Sequence, residues 1–277
     1  MAENNVRVID VNVGIFEEND RIASEVRAQN KANGTFLVNV MASPGAGKTT
    51  TLLRTIEALG GEYSIGVMEA DIEATVDAEK MAEAGVRSMQ VHTGGECCMD
   101  ASMTQAAINE FDTRDLDLVF LENVGNLVCT AEQDTGANIN IEILSVPEGD
   151  DKPLKYPLMF TVTQAVLVNK TDTRKFFAFD DDAFVERVHA LNPLSEIFFV
   201  SAKTGEDSMP GSAGSVVRLS CQKQCSIIQL KSIRTRGQFA AGYEGRTSSI
   251  AAKFEPGTVP EELGLRRPML STLRQRR

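Results

Sequence analysis

The segment Ser43–Thr50, with the sequence SPGAGKTT, has the residue types and spacing needed to hold a phosphate group. It follows the largely apolar run 36–41, which is typical of a buried strand, and it precedes a helical pattern. Backbone N–H groups at such a helix start can converge on a β-phosphate, while Lys48 reaches the β- and γ-phosphate oxygens. Ala42 replaces the first glycine of the full pattern. The residues predicted to bind nucleotide are Gly45, Ala46, Gly47, Lys48, Thr49 and Thr50.

Two further strand-like runs end on carboxylates, which can serve the metal and the water of phosphate hydrolysis. Run 64–71 ends at Asp71, and run 116–122 ends at Glu122 with Gly125 just beyond it. Asp71 can hold Mg²⁺ or orient the attacking water, and a helix cap is the alternative role. The Gly125 N–H can meet the γ-phosphate. The predicted catalytic residues are Lys48, Asp71, Glu122 and Gly125, and the predicted Mg²⁺ ligands are Thr49 and Asp71.

Two later loops have the chemistry to recognise guanine. Asn169-Lys-Thr-Asp172 follows an apolar strand pattern, and Ser201-Ala-Lys203 follows the next one. A carboxylate at Asp172 can accept both guanine N–H donors, which adenine lacks, so the wrong base would leave this carboxylate without a partner. Each loop alone has an ordinary polar loop as its alternative, but their joint order after the phosphate segment favours GTP over ATP. The predicted base-binding residues are Asn169, Lys170, Asp172, Ser201, Ala202 and Lys203.

Three cysteines form a separate set of candidate ligands. Cys97 and Cys98 follow a Gly-Gly turn, and Cys129 stands four residues beyond Gly125. Soft thiolates suit Zn²⁺ and Ni²⁺. Free cysteines are also common as small buried hydrophobic residues, so the residues by themselves leave both interpretations open.

The elements that must position these residues alternate between strand and helix patterns along most of the chain. This alternation predicts an α/β fold, a three-layer P-loop NTPase with a mainly parallel, twisted sheet flanked by helices. We expect an N-terminal arm with one helix over 1–35, a GTPase domain with the metal site over 36–206, and a weakly structured basic tail over 207–277. The tail carries 12 Lys and Arg against 5 Asp and Glu, within a chain whose net charge is −11. The acidic body gives no general attraction for nucleic acid, so nucleic acid is not an expected partner.

Five stretches carry a resemblance to a known family: Ser43–Thr50, Thr93–Cys97, Glu122–Cys129, Glu148–Pro157 and Asn169–Asp172. In these stretches the chain resembles the hydrogenase-maturation nickel-insertion GTPases, the HypB type. The resemblance implies a GTP-dependent homodimer that binds Ni²⁺ or Zn²⁺ near the subunit interface. It also implies hydrogenase maturation proteins and the hydrogenase large subunit precursor, which receives the nickel, as partners.

Carried over by position, Cys97 and Cys129 match the family's cysteine ligands, whereas Cys98 stands where the family usually has histidine. A thiolate is anionic and imidazole is neutral, so a site with Cys98 would be softer and more negative.

Two other functions compete with nickel insertion. One is a GTPase accessory protein for another metalloenzyme, and the other is a metal-storage or regulatory binding protein with vestigial hydrolysis. No run approaches the ~18 apolar residues of a membrane span, and the start lacks the basic and apolar regions of a signal peptide, so we expect a cytoplasmic protein without a membrane partner.

Overall fold

The computed structural model describes residues 11–71, 81 and 84–207. The first ten residues of the predicted arm and the predicted tail from 208 onward lie outside the described residues. The strands are β1 (Phe36–Ala42), β2 (Ile65–Asp71), β3 (Arg87–His92), β4 (Leu118–Glu122), β5 (Ile139–Ser145), β6 (Ala165–Asn169), β7 (Glu196–Ser201) and β8 (Glu206–Asp207). The described α-helices are α1 (Val11–Asn33), α2 (Lys48–Leu59), α3 (Ala101–Phe111), α4 (Cys129–Glu132), α5 (Lys152–Lys155), α6 (Pro157–Val162) and α7 (Asp181–Leu191).

The strands form one sheet in the order β3-β2-β4-β1-β5-β6-β7-β8. All neighbouring pairs are parallel except the last, in which the two-residue strand β8 runs antiparallel to β7. This arrangement confirms the predicted α/β fold and adds an antiparallel edge that the sequence reasoning did not anticipate. Because parallel strands all point the same way, their carboxyl ends and the loops that follow them share one edge of the sheet.

Helices cover both faces of the sheet, so its central strands are buried on both sides. Every residue of β1 is buried, as expected for a strand in the middle of a parallel sheet. One apolar cluster joins α2 to one face, and the other two clusters join α1, α3, α6 and α7 to the opposite face. The result is the three-layer architecture that the alternating pattern predicts.

Helix α1 packs against α3 and against the central strand β1. Ala23 and Val26 are fully buried on its inner side. Gly136 makes this approach possible, because a Cβ atom there would lie 2.6 Å from the Val26 Cβ. Gly136 also has φ +78°, a conformation that side-chain-bearing residues rarely adopt. Helix α3 begins after Asp100, whose side chain caps it by accepting a hydrogen bond from the Met103 N–H at 2.7 Å.

No described helix is both long enough and apolar enough to cross a membrane.

Candidate functional site

The phosphate loop, Ser43–Thr50, connects the end of β1 to the first turn of α2. Gly45 and Gly47 have φ values of +78° and +100°, which only glycine adopts without strain. These two conformations turn the chain back on itself, so its backbone N–H groups can face a phosphate at the start of α2. Thr51 supports this start by donating from its hydroxyl to the Gly47 carbonyl at 2.8 Å.

Asn169 and Lys170 hold the phosphate loop from the side of β6. The Asn169 Nδ2 donates to the Ala46 carbonyl at 3.0 Å, and the Lys170 Nζ donates to the Gly45 carbonyl at 2.5 Å. A Cβ on Gly47 would lie 2.5 Å from the Asn169 Nδ2, so the contact depends on a glycine there. Lys170 itself has φ +61°, an uncommon conformation for a residue with a side chain. The predicted base-binding and phosphate-binding segments therefore contact each other directly.

The loop after β7 completes this group. The Asn169 Oδ1 accepts a hydrogen bond from the Ala202 N–H at 3.0 Å, so one side chain links three loops. The Ser201 hydroxyl donates to the Asp172 Oδ1 at 2.7 Å and thereby orients the carboxylate predicted to recognise guanine. Lys203 is exposed at the rim of this group. Sequence reasoning assigned segment 201–203 to the base through a backbone N–H, which stays a prediction; the structure adds the contact between the Ser201 hydroxyl and Asp172.

Carboxylates lie at the opposite end of the phosphate loop. The Thr49 Oγ1 is 3.5 Å from the Glu122 Oε1, so the predicted magnesium ligand adjoins the acid at the end of β4. Glu69 on β2, which sequence reasoning missed, pairs in register with Glu122 on the neighbouring strand β4. Both glutamates are buried, and Asp71 follows on β2 with partial exposure. The signal for Glu69 in the sequence is a charged residue in the interior of a strand whose other interior residues are apolar.

Gly125 connects the phosphate loop to the thiols. A Cβ on Gly125 would lie 3.1 Å from the Pro44 Cγ, so this glycine packs closely against the loop. Asn126 follows directly, and its Oδ1 accepts hydrogen bonds from the N–H groups of Val128 and Cys129 at 2.7 and 3.0 Å. The Asn126 Nδ2 also contacts the Cys129 Sγ at 3.6 Å. A short, hydrogen-bonded segment thus runs from the nucleotide loop to a candidate metal ligand.

Cys97, Cys98 and Cys129, which we call the thiol cluster, lie beside one another as free cysteines. Burial, with the neighbouring Cys97 and Cys129, raises the pKa of the Cys98 thiol to about 12. Hydrogen bonding with Cys97, together with burial, raises the pKa of Cys129 to about 11. The thiols of Cys98 and Cys129 are therefore protonated at neutral pH, and a metal ion that used them as ligands would have to displace their protons. Within residues 11–71 and 84–207, no set of three or more His, Cys, Asp and Glu side chains is arranged to hold a metal ion.

The family to which the chain belongs follows from comparison with known proteins. Residues 36–199, which include the phosphate loop, the base-binding loop at 169–172 and the thiol cluster, match the model described as CobW/HypB/UreG, nucleotide-binding domain. The chain belongs to the CobW/HypB/UreG family. This membership confirms the resemblance found in the sequence.

Individual members of the family show how far the likeness extends. The chain is 42% identical over 200 residues to a hydrogenase maturation factor HypB from Azotobacter chroococcum, covering 72% of this chain and 66% of the relative. It therefore spans just under two thirds of that relative's length. A crystal structure of HypB from Archaeoglobus fulgidus has a TM-score of 0.68 and 33% identity, covering 74% of this chain and 99% of that one. HypB from Helicobacter pylori, crystallised in complex with nickel, has a TM-score of 0.64 and 32% identity, covering 81% of this chain and 100% of that one.

This member of the CobW/HypB/UreG family has a further contact with the phosphate loop that sequence reasoning missed. The Ser43 hydroxyl donates to the Glu148 Oε2. The Glu148 Oε1 accepts from the Ser145 N–H and hydroxyl at 2.8 and 2.7 Å. Lys152 Nζ lies 3.8 Å from the same carboxylate. Segment 148–157, which the sequence marked only by resemblance, is thus joined to the nucleotide loop through Glu148.

Glu142 on β5 is a second residue that the sequence reasoning missed. It is 0% exposed, and neither carboxylate oxygen has a hydrogen-bond partner among the described residues. Burial raises its pKa well above the ordinary value, with the charge on Glu148 adding to the effect and those on Lys48 and Lys152 opposing it. Glu142 therefore keeps its proton to a higher pH than an exposed glutamic acid does.

Proposed function

We propose that this chain is a GTP-hydrolysing nickel metallochaperone that helps insert nickel into the hydrogenase large subunit precursor. The observation that carries the proposal is the segment from Gly125 to Cys129. Gly125 packs against Pro44 of the phosphate loop, and four residues later Cys129 lies beside Cys97 and Cys98. A change at the γ-phosphate can therefore reach a metal ligand over a few residues.

The nucleotide site would work as follows. Lys48 neutralises charge on the β- and γ-phosphates, while Thr49 and Asp71 hold Mg²⁺ with Glu122 beside them. Asp172, oriented by Ser201, accepts the two N–H donors of guanine. Because Asn169 already occupies the Ala202 N–H, we expect the Lys203 N–H to donate to guanine O6.

The thiol cluster would carry the nickel, or Zn²⁺ in its place. Three adjacent sulfurs provide the soft donors that both metals accept, and a two-fold homodimer could combine thiolates from both subunits. In the proposed cycle, GTP favours the homodimer and the loaded state. Hydrolysis then moves Gly125, shifts Cys129 and loosens the metal for transfer to maturation partners and the large subunit precursor.

The experiment measures Ni²⁺ affinity of the purified chain with GDP and with a non-hydrolysable GTP analogue. We expect different affinities in the two states, because only the analogue supplies a γ-phosphate for Gly125. In parallel, Lys48→Ala should abolish hydrolysis and nickel delivery while Ni²⁺ binding persists. Equal Ni²⁺ affinities in the two nucleotide states would refute the coupling, and delivery that survives Lys48→Ala would favour a storage or regulatory role.

A further inference from the structure

Two buried asparagine side chains hold the backbone that directly follows the cysteine pair. The Asn123 Oδ1 accepts a hydrogen bond from the Met99 N–H at 3.0 Å. The Asn19 Oδ1 accepts one from the Ala101 N–H at 2.9 Å. Met99 is the residue next to Cys98, so these two bonds fix the chain within three residues of the cysteine pair.

Each asparagine also belongs to, or contacts, the segment that carries Cys129. Asn123 lies between β4 and Gly125 in that same segment. The Asn19 Nδ2 donates to the Asp134 carbonyl at 2.9 Å, two residues beyond the end of α4. The two thiol-bearing segments are therefore joined to each other at two points, once through a residue of the segment itself and once through α1.

Further buried amides fix the orientation of Asn123. Its Nδ2 donates to the Asn39 Oδ1 at 3.1 Å, and the Asn39 Nδ2 donates to the Asn140 Oδ1 at 3.0 Å. Asn39 and Asn123 are each 1% exposed, so this row of amides crosses from the loop after β4 to β5 inside the protein. A buried and fully bonded polar network permits one arrangement of its members, because any other leaves a buried polar group without a partner.

We propose that Asn123 and Asn19 are positioning residues of the thiol cluster: they hold the cysteine pair beside Cys129, so that less of the chain has to be ordered when the sulfurs close on a soft metal ion. The inference rests on the proposed function, in which these thiols bind nickel or zinc. Metal–ligand distances tolerate changes of only about 0.2 Å, so a loop released from either amide contact must be ordered again when the metal binds. Loss of outer-shell partners of this kind typically weakens metal binding by roughly 10–100-fold.

The test compares three variants of the full chain in Ni²⁺ titrations against a competing chelator. Asn123→Ala and Asn19→Leu each remove one anchor. Asn30→Leu is the matched control, because Asn30 lies on the same helix as Asn19 and is 1% exposed. Its side-chain atoms have no hydrogen-bond partner among the described residues, so it anchors neither thiol-bearing segment.

We expect Asn123→Ala and Asn19→Leu to weaken Ni²⁺ binding by about 10–100-fold and to alter the thiolate-to-nickel charge-transfer absorption. Asn30→Leu should leave both the affinity and the absorption unchanged. A purely structural role would lower the melting temperature without changing the absorption of the loaded site. If Asn123→Ala does not fold, Asn19→Leu decides, with GTP affinity as its measure of an intact nucleotide site.

Unchanged Ni²⁺ affinity and absorption in Asn19→Leu, or an equal loss in Asn30→Leu, would overturn the positioning role while leaving the proposed function standing. Ni²⁺ binding that survives replacement of Cys97, Cys98 and Cys129 together would overturn the proposed function, and the positioning role with it.

Discussion

Replacing the buried Glu142 by methionine should make this protein more stable, against the usual effect of a core substitution. Methionine has a similar size and shape, so the change creates neither a large cavity nor overpacking. It removes two carboxylate oxygens that have no hydrogen-bond partner among the residues described. Burying an unpaired polar group costs about 1–3 kcal/mol, and the free energy of unfolding should rise by that amount. For a domain of this size the melting temperature should rise by roughly 2–4 °C for each kcal/mol.

The gain should also depend on pH, and its sign follows from the direction of the pKa shift. Burial raises the pKa of Glu142 above its ordinary value, so the folded protein keeps a proton that the unfolded chain releases. Wild-type stability from this group is therefore fully present below the unfolded pKa of 4.5 and is lost as pH rises through the folded pKa. The slope reaches at most about 1.4 kcal/mol per pH unit in that window. The advantage of Glu142→Met should consequently grow from pH 4.5 upward.

Urea unfolding from pH 4.5 to 8 would measure this difference. Glu142→Gln serves as a second variant, because it resembles the protonated acid and should match wild type near pH 4.5 yet exceed it at higher pH. Replacement of the exposed Glu186 by Gln is the control, with no expected change in the pH dependence. A Glu142→Met variant that is less stable than wild type at pH 7, or whose advantage is the same at every pH, would refute the reasoning.

Three other substitutions test contacts that position the site. Gly47→Ala places a Cβ against Asn169 and strains a φ of +100°, so GTP affinity measured by calorimetry should fall by at least about tenfold. An affinity equal to that of wild type would show that the contact between Asn169 and the phosphate loop does not shape the nucleotide site. Ser201→Ala removes the 2.7 Å bond to Asp172, and a loss of about 1.5 kcal/mol predicts roughly tenfold weaker GTP binding, with unchanged discrimination against ATP arguing against this role. Gly136→Ala forces a Cβ against Val26 of α1, and urea unfolding should show that the free energy of unfolding falls by about 1–3 kcal/mol. An unchanged free energy would mean that α1 does not need this close approach.

Local chemistry explains why much of the nucleotide site could be predicted. The sequence of Ser43–Thr50 encodes the turn itself, because the two glycines adopt the positive φ values and the lysine follows them. The order of strands and polar loops then placed Asp172 and Ser201 at one edge of the sheet, since the carboxyl ends of parallel strands meet there. Asp172 follows β6 and Ser201 ends β7, and these two strands are neighbours in the sheet, so the two side chains meet at that edge.

The contacts that order the thiol cluster could not be predicted in this way. Asn19 and Ala101 are 82 residues apart, and nothing in either local sequence selects the other as its partner. Asn39 did carry a signal, because an amide within the buried strand β1 needs a hydrogen-bond partner, but the partner depends on strand order. Glu142 likewise stands out as a charged residue in an apolar run, whereas its lack of a partner is a property of the packed interior.

The sequence by itself predicted a phosphate loop, a guanine-recognition loop and three thiols that could bind a soft metal, because short-range spacing and side-chain chemistry are sufficient for each prediction. Only the tertiary structure decided how they are connected. It placed Gly125 against Pro44 and Cys129 beside Cys97 and Cys98. It also placed Asn19 of α1 in hydrogen-bond contact with both thiol-bearing segments. The physical reason is that hydrogen bonds and packing between distant segments depend on sheet order and helix docking, which local sequence does not encode.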